Sequence, residues 1–213
     1  MDLLNKLMVV AHPDDEILFG GYYLIKYKGW DVVCLTNKDN KVRYNEFKLV
    51  MEKLDINFFI FDYTDEKRKY FIYKGLNISE SEIKLKNDIL KIINSKSYDI
   101  LVTHNPCGEY GHPQHIYLSN FIYSLIDRKD IIYYFDITDT GSNILKKNGI
   151  SQQIYNPFKK REIFFNLDDN IIEYKKELLK IYMSQQEVFK RPKINPYLEN
   201  SIITNSQSLE HIF

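Results

Sequence analysis

The sequence predicts an α/β fold: a Rossmann-like, doubly wound and mainly parallel sheet with helices on both faces. Short apolar runs alternate along the chain with longer segments in which apolar residues recur every three to four positions. Such alternation is typical of parallel strands joined by crossover helices. The 213 residues, of which 44% are hydrophobic, suffice for one packed core. We therefore expect a single domain over residues 1–213.

Five strands and five helices follow from this pattern in chain order. Each predicted strand is a short apolar run bounded by polar residues, and the five lie at Leu7–Val10, Asp31–Thr36, Asn57–Phe61, Ile100–Thr103 and Ile131–Phe135. Each predicted helix is longer and amphipathic, and the five lie at Glu16–Tyr27, Lys41–Leu54, Glu80–Asn94, Pro113–Asp127 and Ile171–Phe189. Pro113 favours a helix start at its own position, because the first helical turn does not use the N–H that proline lacks.

Polar residues suited to catalysis follow directly after the first predicted strand. In the segment His12-Pro13-Asp14-Asp15-Glu16, a histidine and two carboxylates stand at the strand's C-terminal end, where open α/β sheets bind ligands. His12 and Asp15 are three residues apart, so a tight turn can direct both at one point. Such a pair is half of a zinc site, and Asp14 is a candidate general base. Either aspartate could instead cap the following helix.

A second polar segment follows the fourth predicted strand. The segment Tyr110-Gly111-His112-Pro113-Gln114-His115 places His112 and His115 three residues apart, on one side of a first helical turn. In a doubly wound sheet the first and fourth strands are neighbours, so the two polar segments should meet in the ligand crevice. Together they offer a three-ligand site with one open position, as in catalytic zinc centres.

The two segments together resemble the motifs of the PIG-L/LmbE-like family of metal-dependent N-acetyl-sugar deacetylases. Two weaker matches add to them: Arg43-Tyr44-Asn45-Glu46 is similar to the family's Arg-x-x-Glu segment, and Tyr182-Met183-Ser184-Gln185 to its late Tyr-x-Ser-Gln segment. The resemblance covers residues 7 to 190, approximately. One departure is Gln114, where the family often has aspartate, so a contact behind the metal ligands is expected to differ.

The resemblance implies a metal centre and its ligands. His12, Asp15 and His115 would hold the ion, and zinc is the expected cofactor, with iron(II) as an alternative because histidine and carboxylate ligands accept both. Cys107 is expected to be a structural loop residue, since a fourth protein ligand would close the position that catalysis needs. His104, at the end of the fourth strand, is likewise expected to be structural.

The resemblance also implies roles for the groups around the ion. Asp14 would act as the general base, and His112 as a second proton-handling or charge-stabilising group. Tyr110 would donate a hydrogen bond to the oxyanion. Arg43 would contact the substrate, although a solvated helix charge is an equal alternative. Asp62 ends the third strand at the same edge of the sheet, which makes it a candidate contact for a substrate hydroxyl.

Charge and hydropathy exclude several classes of protein. Lys plus Arg and Asp plus Glu number 29 each, and a neutral chain lacks the basic surface that nucleic-acid binding requires. No apolar run approaches the length of a transmembrane helix, and the N-terminus lacks the pattern of a signal peptide. We expect a cytoplasmic protein that acts on a small-molecule or lipid-linked amino-sugar substrate. The oligomeric state is left open.

The segment 138–170 has no clear periodicity. Glycines and an Asn156-Pro157 pair punctuate it, as in turns. A stretch of this length without regular elements is unusual as a simple connection. It is expected to form either an active-site lid or substrate wall, or a surface excursion.

These observations favour a metal-dependent hydrolase that removes the N-acetyl group from an N-acetylglucosamine-type sugar or conjugate, giving acetate and a free amine. The residues alone indicate metal-assisted hydrolysis, and the resemblance supplies the substrate class. Two alternatives are a metal-dependent sugar transferase and a noncatalytic sugar-binding domain. The transferase is less favoured because hard cations prefer oxygen ligands to histidine. The binding domain is less favoured because it has no use for a general base at Asp14.

Overall fold

A single sheet of six strands forms the centre of the computed structural model, which describes residues 4–65, 69–135, 168–194 and 203–204. The strands are β1 (Lys6–Val10), β2 (Trp30–Thr36), β3 (Asn57–Tyr63), β4 (Ile100–Thr103), β5 (Ile132–Phe135) and β6 (Ile203–Thr204). Their order across the sheet is β3-β2-β1-β4-β5-β6. The first five strands run parallel, and β6 pairs antiparallel with β5 at one edge.

Helices connect the parallel strands. They are α1 (Asp15–Lys26), α2 (Lys41–Leu54), α3 (Ile78–Ile93), α4 (Gly108–Gly111), α5 (Pro113–Leu125), α6 (Asp169–Ile181) and α7 (Gln186–Phe189), and short 3₁₀ helices lie at Lys129–Ile131 and Met183–Gln185. The helix α3 begins two residues before the predicted Glu80, because Asn77 and Glu80 form a capping box at its start. Pro113 begins α5, as its chemistry predicts.

The last predicted helix, Ile171–Phe189, is divided in the structure. The helix α6 ends at Ile181, and the 3₁₀ turn at Met183–Gln185 separates it from α7. Residues at this point of the chain form hydrogen bonds to distant residues. The Tyr182 hydroxyl donates to Glu16, and the Ser184 backbone N–H and hydroxyl both donate to Glu46, at 2.8 and 2.6 Å. Tertiary hydrogen bonds therefore interrupt a segment whose local pattern is helical.

The helices cover both faces of the sheet, which confirms the doubly wound α/β fold. Met8 and Val10 point to one face, where α1, α2 and α6 pack on the sheet. Leu7 and Val9 point to the opposite face, where α3 and α5 pack. Successive residues of a strand face opposite sides, so a strand that is apolar at every position must be covered on both. All five residues of β1 are buried.

The strand β1 lies between β2 and β4, at the point where the strand order reverses. Val9 is paired with Thr103, the last residue of β4, so the segments after β1 and β4 leave the same edge of the sheet side by side. Ligands of open α/β sheets bind at this crevice. The fold therefore brings together the two polar segments, which are about 100 residues apart along the chain.

Two further expectations concern the rest of the chain. Of the predicted lid or wall at 138–170, only the last three residues belong to the described part, and residues 138–167 lie outside it. Among the helices that the structure describes, none combines the length and the apolar character that crossing a membrane would require.

Candidate active site

The turn after β1 presents the Asp14 side chain to the site. Asp14 has a φ of 114°, an uncommon value for a residue other than glycine. Its backbone N–H donates to Glu16 Oε2 at 3.0 Å, and the Tyr182 hydroxyl binds the other oxygen of that carboxyl group. Asp14 immediately precedes α1, yet its side chain makes no capping hydrogen bond. The backbone of the turn is thus held by Glu16, and the Asp14 carboxylate remains available.

Three ligand atoms from the two polar segments converge behind this turn. The His12 Nδ1 lies 3.1 Å from Asp15 Oδ2 and 3.3 Å from His115 Nε2, and His115 Nε2 lies 3.4 Å from Asp15 Oδ2. Tetrahedral ligands at about 2.0–2.1 Å from a zinc ion are separated from one another by about 3.3 Å. These three atoms, which we call the ligand triangle, therefore fit three vertices of a tetrahedron around one ion. The residues present suit the metal that the family resemblance implies.

In both histidines of this triangle, the ring nitrogen that points away from the triangle makes a hydrogen bond to another side chain. His115 Nδ1 lies 2.6 Å from Glu109 Oε2, and His12 Nε2 lies 2.9 Å from Gln114 Oε1. Because carboxylate and amide oxygens accept hydrogen bonds, these nitrogens carry the protons. The nitrogens that face the triangle are then the ones left to bind an ion, which they do in the unprotonated form.

His104 lies close to the same atoms, but both of its ring nitrogens have partners within the protein. Asp15, His104 and His115 also form a group with suitable separations. However, the Ala11 backbone N–H donates to His104 Nε2 at 3.0 Å, and His104 Nδ1 lies 3.2 Å from Glu109 Oε2. Both ring nitrogens are therefore used within the protein. The His104 ring stacks on His115 at 3.7 Å between centroids, so its position is that of a supporting residue.

His112 lies beside the triangle and faces the pocket. Its ring centroid is 4.3 Å from that of His115 and 5.0 Å from that of His12, and these three histidines could also share an ion. Burial and the neighbouring histidines lower the pKa of His112 to about 2. The ring is therefore neutral at pH 7 and can donate one N–H, rather than act as an imidazolium. Its buried Nδ1 has no hydrogen-bond partner among the described residues.

The pKa values of the two aspartates are shifted in opposite directions. Burial raises the pKa of Asp14 well above its usual range, partly opposed by the Arg43 guanidinium at 3.7 Å. Burial acts in the same direction on Asp15, but His115 and His12 outweigh it and hold the Asp15 pKa well below its usual range. Asp15 is thus the carboxylate suited to metal binding, and Asp14 is the one with raised proton affinity, as a general base requires.

Arg43 is used largely to hold this part of the protein together. Its guanidinium donates to Asp65 Oδ2 at 2.6 Å and to the Pro13 carbonyl oxygen at 2.7 Å. The side chain lines the pocket, where the sequence predicts a substrate contact, but its hydrogen bonds go to the loop of the first polar segment and to Asp65. Arg43 therefore positions the turn that carries Asp14.

A cavity of about 380 Å³ opens onto these groups, within the size range of small-molecule sites. Its lining residues are His12, Asp14, Asp15, Leu18, Arg43, Asp65, Tyr110, His112, Pro113, Gln185, Val188, Phe189, Arg191, Lys193 and Ile194. Tyr110 is among them, as predicted for an oxyanion donor. Asp62 is not, and its carboxylate instead accepts the Asp39 backbone N–H at 3.2 Å. Asp65, three residues later, lines the cavity.

Several residues of the site were not assigned a role from the sequence. Glu109 supports two histidines, and Gln114 and Asp65 both approach His12 Nε2, at 2.9 and 3.2 Å. Gln114 lies within the second polar segment and Glu109 directly precedes it, so the sequence indicates their position but not their function. Asp65 carries no sequence signal beyond its location shortly after β3.

The link between α6 and the turn after β1 leads to a prediction of stability. Tyr182 and Glu16 are fully buried, and Tyr182→Phe removes the hydroxyl that binds the Glu16 carboxyl group. We expect the free energy of unfolding to fall by about 1–3 kcal/mol, the usual cost of leaving a buried polar group without its hydrogen-bond partner. Urea denaturation measures it. Tyr123→Phe, at a half-exposed position on α5, is the control and should change stability by less than about 0.5 kcal/mol. Equal effects of the two variants would show that the hydrogen bond between Tyr182 and Glu16 does not stabilise the fold.

The chain is similar to known proteins over the region that contains most of these residues. Residues 7–126 match the PIG-L family model, described as GlcNAc-PI de-N-acetylase. The chain is 34% identical over 148 residues to an uncharacterised protein of Acanthamoeba polyphaga mimivirus, covering 62% of each. It is 31% identical over 135 residues to a probable N-acetylglucosaminyl-phosphatidylinositol de-N-acetylase of Dictyostelium discoideum, covering 58% of this chain and 50% of that protein. The matched regions thus span between half and two thirds of these relatives.

A solved structure shares the fold. It is a deacetylase of the teicoplanin biosynthesis pathway, with a TM-score of 0.58, 16% sequence identity and 87% of each chain covered. The family model matches more than half of the chain and includes both polar segments that form the site. The resemblance drawn from the sequence is confirmed, and the chain belongs to the PIG-L family.

Proposed function

We propose that this chain is a metal-dependent hydrolase that removes the N-acetyl group from an N-acetylated amino sugar or sugar conjugate of the N-acetylglucosamine type. The products would be acetate and a free amine. The observation that carries the proposal is the triangle of His12 Nδ1, Asp15 Oδ2 and His115 Nε2, with sides of 3.1–3.4 Å, beside the carboxylate of Asp14 in one cavity. The names of the relatives and of the family supply the substrate class.

The chemistry of amide hydrolysis needs a nucleophile, a place for negative charge and a proton for the leaving nitrogen. A zinc ion held by His12, Asp15 and His115 would supply Lewis acidity, which activates water and polarises a carbonyl group. Asp14 accepts a proton from the attacking water as the new C–O bond forms. The C–N bond then breaks, and the proton held by Asp14 is available to the departing nitrogen, which leaves as the free amine.

In this proposal two residues would stabilise the oxyanion. The neutral His112 ring carries one N–H, and Tyr110 carries a hydroxyl, and both side chains line the cavity next to the ligand triangle. Donors that already point at the developing charge stabilise the transition state without reorganisation. In this scheme His112 acts through a neutral hydrogen bond, consistent with its lowered pKa.

The two alternative functions receive less support from the geometry. A sugar transferase that holds a nucleotide-sugar through a hard cation needs oxygen ligands, whereas two of the three atoms in the triangle are imidazole nitrogens. A noncatalytic sugar-binding domain has no need of Asp14, a buried carboxylate with a raised pKa that no side-chain donor of the described residues binds within hydrogen-bonding distance.

The experiment that tests the proposal is acetate release by the zinc-loaded protein from a panel of N-acetylglucosamine derivatives. The panel includes the free sugar, a nucleotide-sugar, a lipid-linked conjugate and a thiol-precursor conjugate. Release from at least one compound, lost on metal removal and restored by zinc or iron(II), is the expected result. Binding of these compounds without release, by a protein that holds its metal, would favour the binding domain and contradict the proposal.

A further inference from the structure

We propose that Gln114 is a positioning residue for the metal, whose carboxamide fixes the His12 ring with Nδ1 turned toward the ion. The inference rests on the proposed function, since it takes His12, Asp15 and His115 as the ligands. It goes further by giving a role to the residue at which this chain departs from the family pattern. Gln114 is 1% exposed, and its two polar ends are both bonded within the protein.

The orientation of the Gln114 amide is fixed by its neighbour on the far side. Gln114 Nε2 lies 2.9 Å from the carbonyl oxygen of Thr64, which can only accept a hydrogen bond. The amide nitrogen must therefore face Thr64, and the amide oxygen must face His12. Because that oxygen is itself only an acceptor, His12 Nε2 carries a proton, and Nδ1 is the nitrogen left to bind an ion. The chain of hydrogen bonds thus selects the one tautomer of His12 that can bind an ion through Nδ1.

The surroundings explain why an amide suits this position better than a carboxylate. Asp65 Oδ1 already lies 3.2 Å from the same His12 Nε2, and its other oxygen is held by Arg43 at 2.6 Å. A carboxylate therefore faces His12 from the end of β3. A second acid at position 114 would approach Asp65 and would leave the Thr64 carbonyl oxygen without a donor. The amide supplies a second, uncharged acceptor to His12 at the shorter distance and the donor to the Thr64 carbonyl oxygen.

The inference is tested by the metal affinity of two variants, measured by competition with a chromophoric zinc chelator. Gln114→Met keeps the length and volume of the side chain but offers neither an acceptor nor a donor. It should weaken zinc binding by about 10- to 100-fold, the usual effect of losing a residue that orients a metal ligand. Gln114→Glu keeps an acceptor for His12, and it should bind zinc about as tightly as the wild type while losing thermal stability.

The matched control is Gln185→Met at the rim of the same cavity. The Gln185 amide donates to Ser184 Oγ and touches none of the three ligands, so its zinc affinity should equal that of the wild type. Equal affinities of Gln114→Met and the wild type would overturn the positioning role, and so would a Gln114→Glu variant as weak as Gln114→Met. A wild-type chain that binds no zinc or iron(II) would overturn the proposed metal centre as well, which separates the two failures.

Discussion

Replacement of Asp14 by asparagine should lower kcat for deacetylation by about 10²- to 10⁴-fold, the contribution of a general base. Asparagine keeps the shape of the side chain and tolerates the positive φ that this position requires. The amide cannot accept the proton of the attacking water, so turnover is lost while the ligand triangle stays intact. We expect unchanged zinc content by elemental analysis, with KM altered much less than kcat.

The control for this variant is Asp130→Asn. Asp130 is exposed in the 3₁₀ helix before β5, at the opposite edge of the sheet from the site, and its substitution should leave kcat unchanged. An Asp14→Asn protein that retains zinc and hydrolyses substrate at the wild-type rate would show that the base lies elsewhere. Loss of zinc together with activity would instead make Asp14 part of the metal centre.

Removal of one ligand histidine should have an effect of similar size through a different cause. We expect His12→Gln to lose zinc on dialysis and to lower activity by about 10³-fold or more, because a catalytic metal contributes several kcal/mol to transition-state stabilisation. Glutamine at position 12 cannot place a strong donor where the His12 Nδ1 completes the triangle. Zinc content and acetate release measured on the same preparation test this expectation.

The matched variant His104→Gln distinguishes two of the three ligand sets that the geometry allows. These two sets share Asp15 and His115, and they differ in whether His12 or His104 contributes the third atom. A glutamine oxygen at position 104 can still accept the Ala11 N–H, so this protein should keep its zinc. Zinc lost from His104→Gln and retained by His12→Gln would reverse the assignment.

The fold could be predicted almost entirely from local patterns. The strands Asp31–Thr36 and Ile100–Thr103 were predicted to within one residue at each end, since a strand covered on both faces must be apolar throughout. The division of the last helix at Tyr182 could not be predicted. Its cause is a set of hydrogen bonds to Glu16 and Glu46, residues far away in the sequence, and these override the local helical pattern.

The candidate metal ligands could be predicted from the sequence, but the residues that hydrogen-bond to them could not. His12 and His115 stand out because histidines follow strands that neighbour each other at the switch point. Glu109 does not, because a glutamate in a loop has no periodicity and is most often solvated. Only the folded chain shows that its side chain is fully buried between His104 and His115. Asp62 and Asp65 differ in the same way, since both follow the third apolar run and only one reaches the cavity.

The sequence by itself determined the doubly wound fold, the two polar segments and their meeting at the end of β1 and β4. These depend on local periodicity and on the few topologies open to parallel strands. The tertiary structure decided which ring nitrogens face the triangle, that Gln114 and Glu109 bind the opposite nitrogens of the same rings, and that the Ala11 backbone N–H donates to His104. Such choices depend on distances of about 3 Å between segments remote in the chain, and only packing of the whole domain sets those distances.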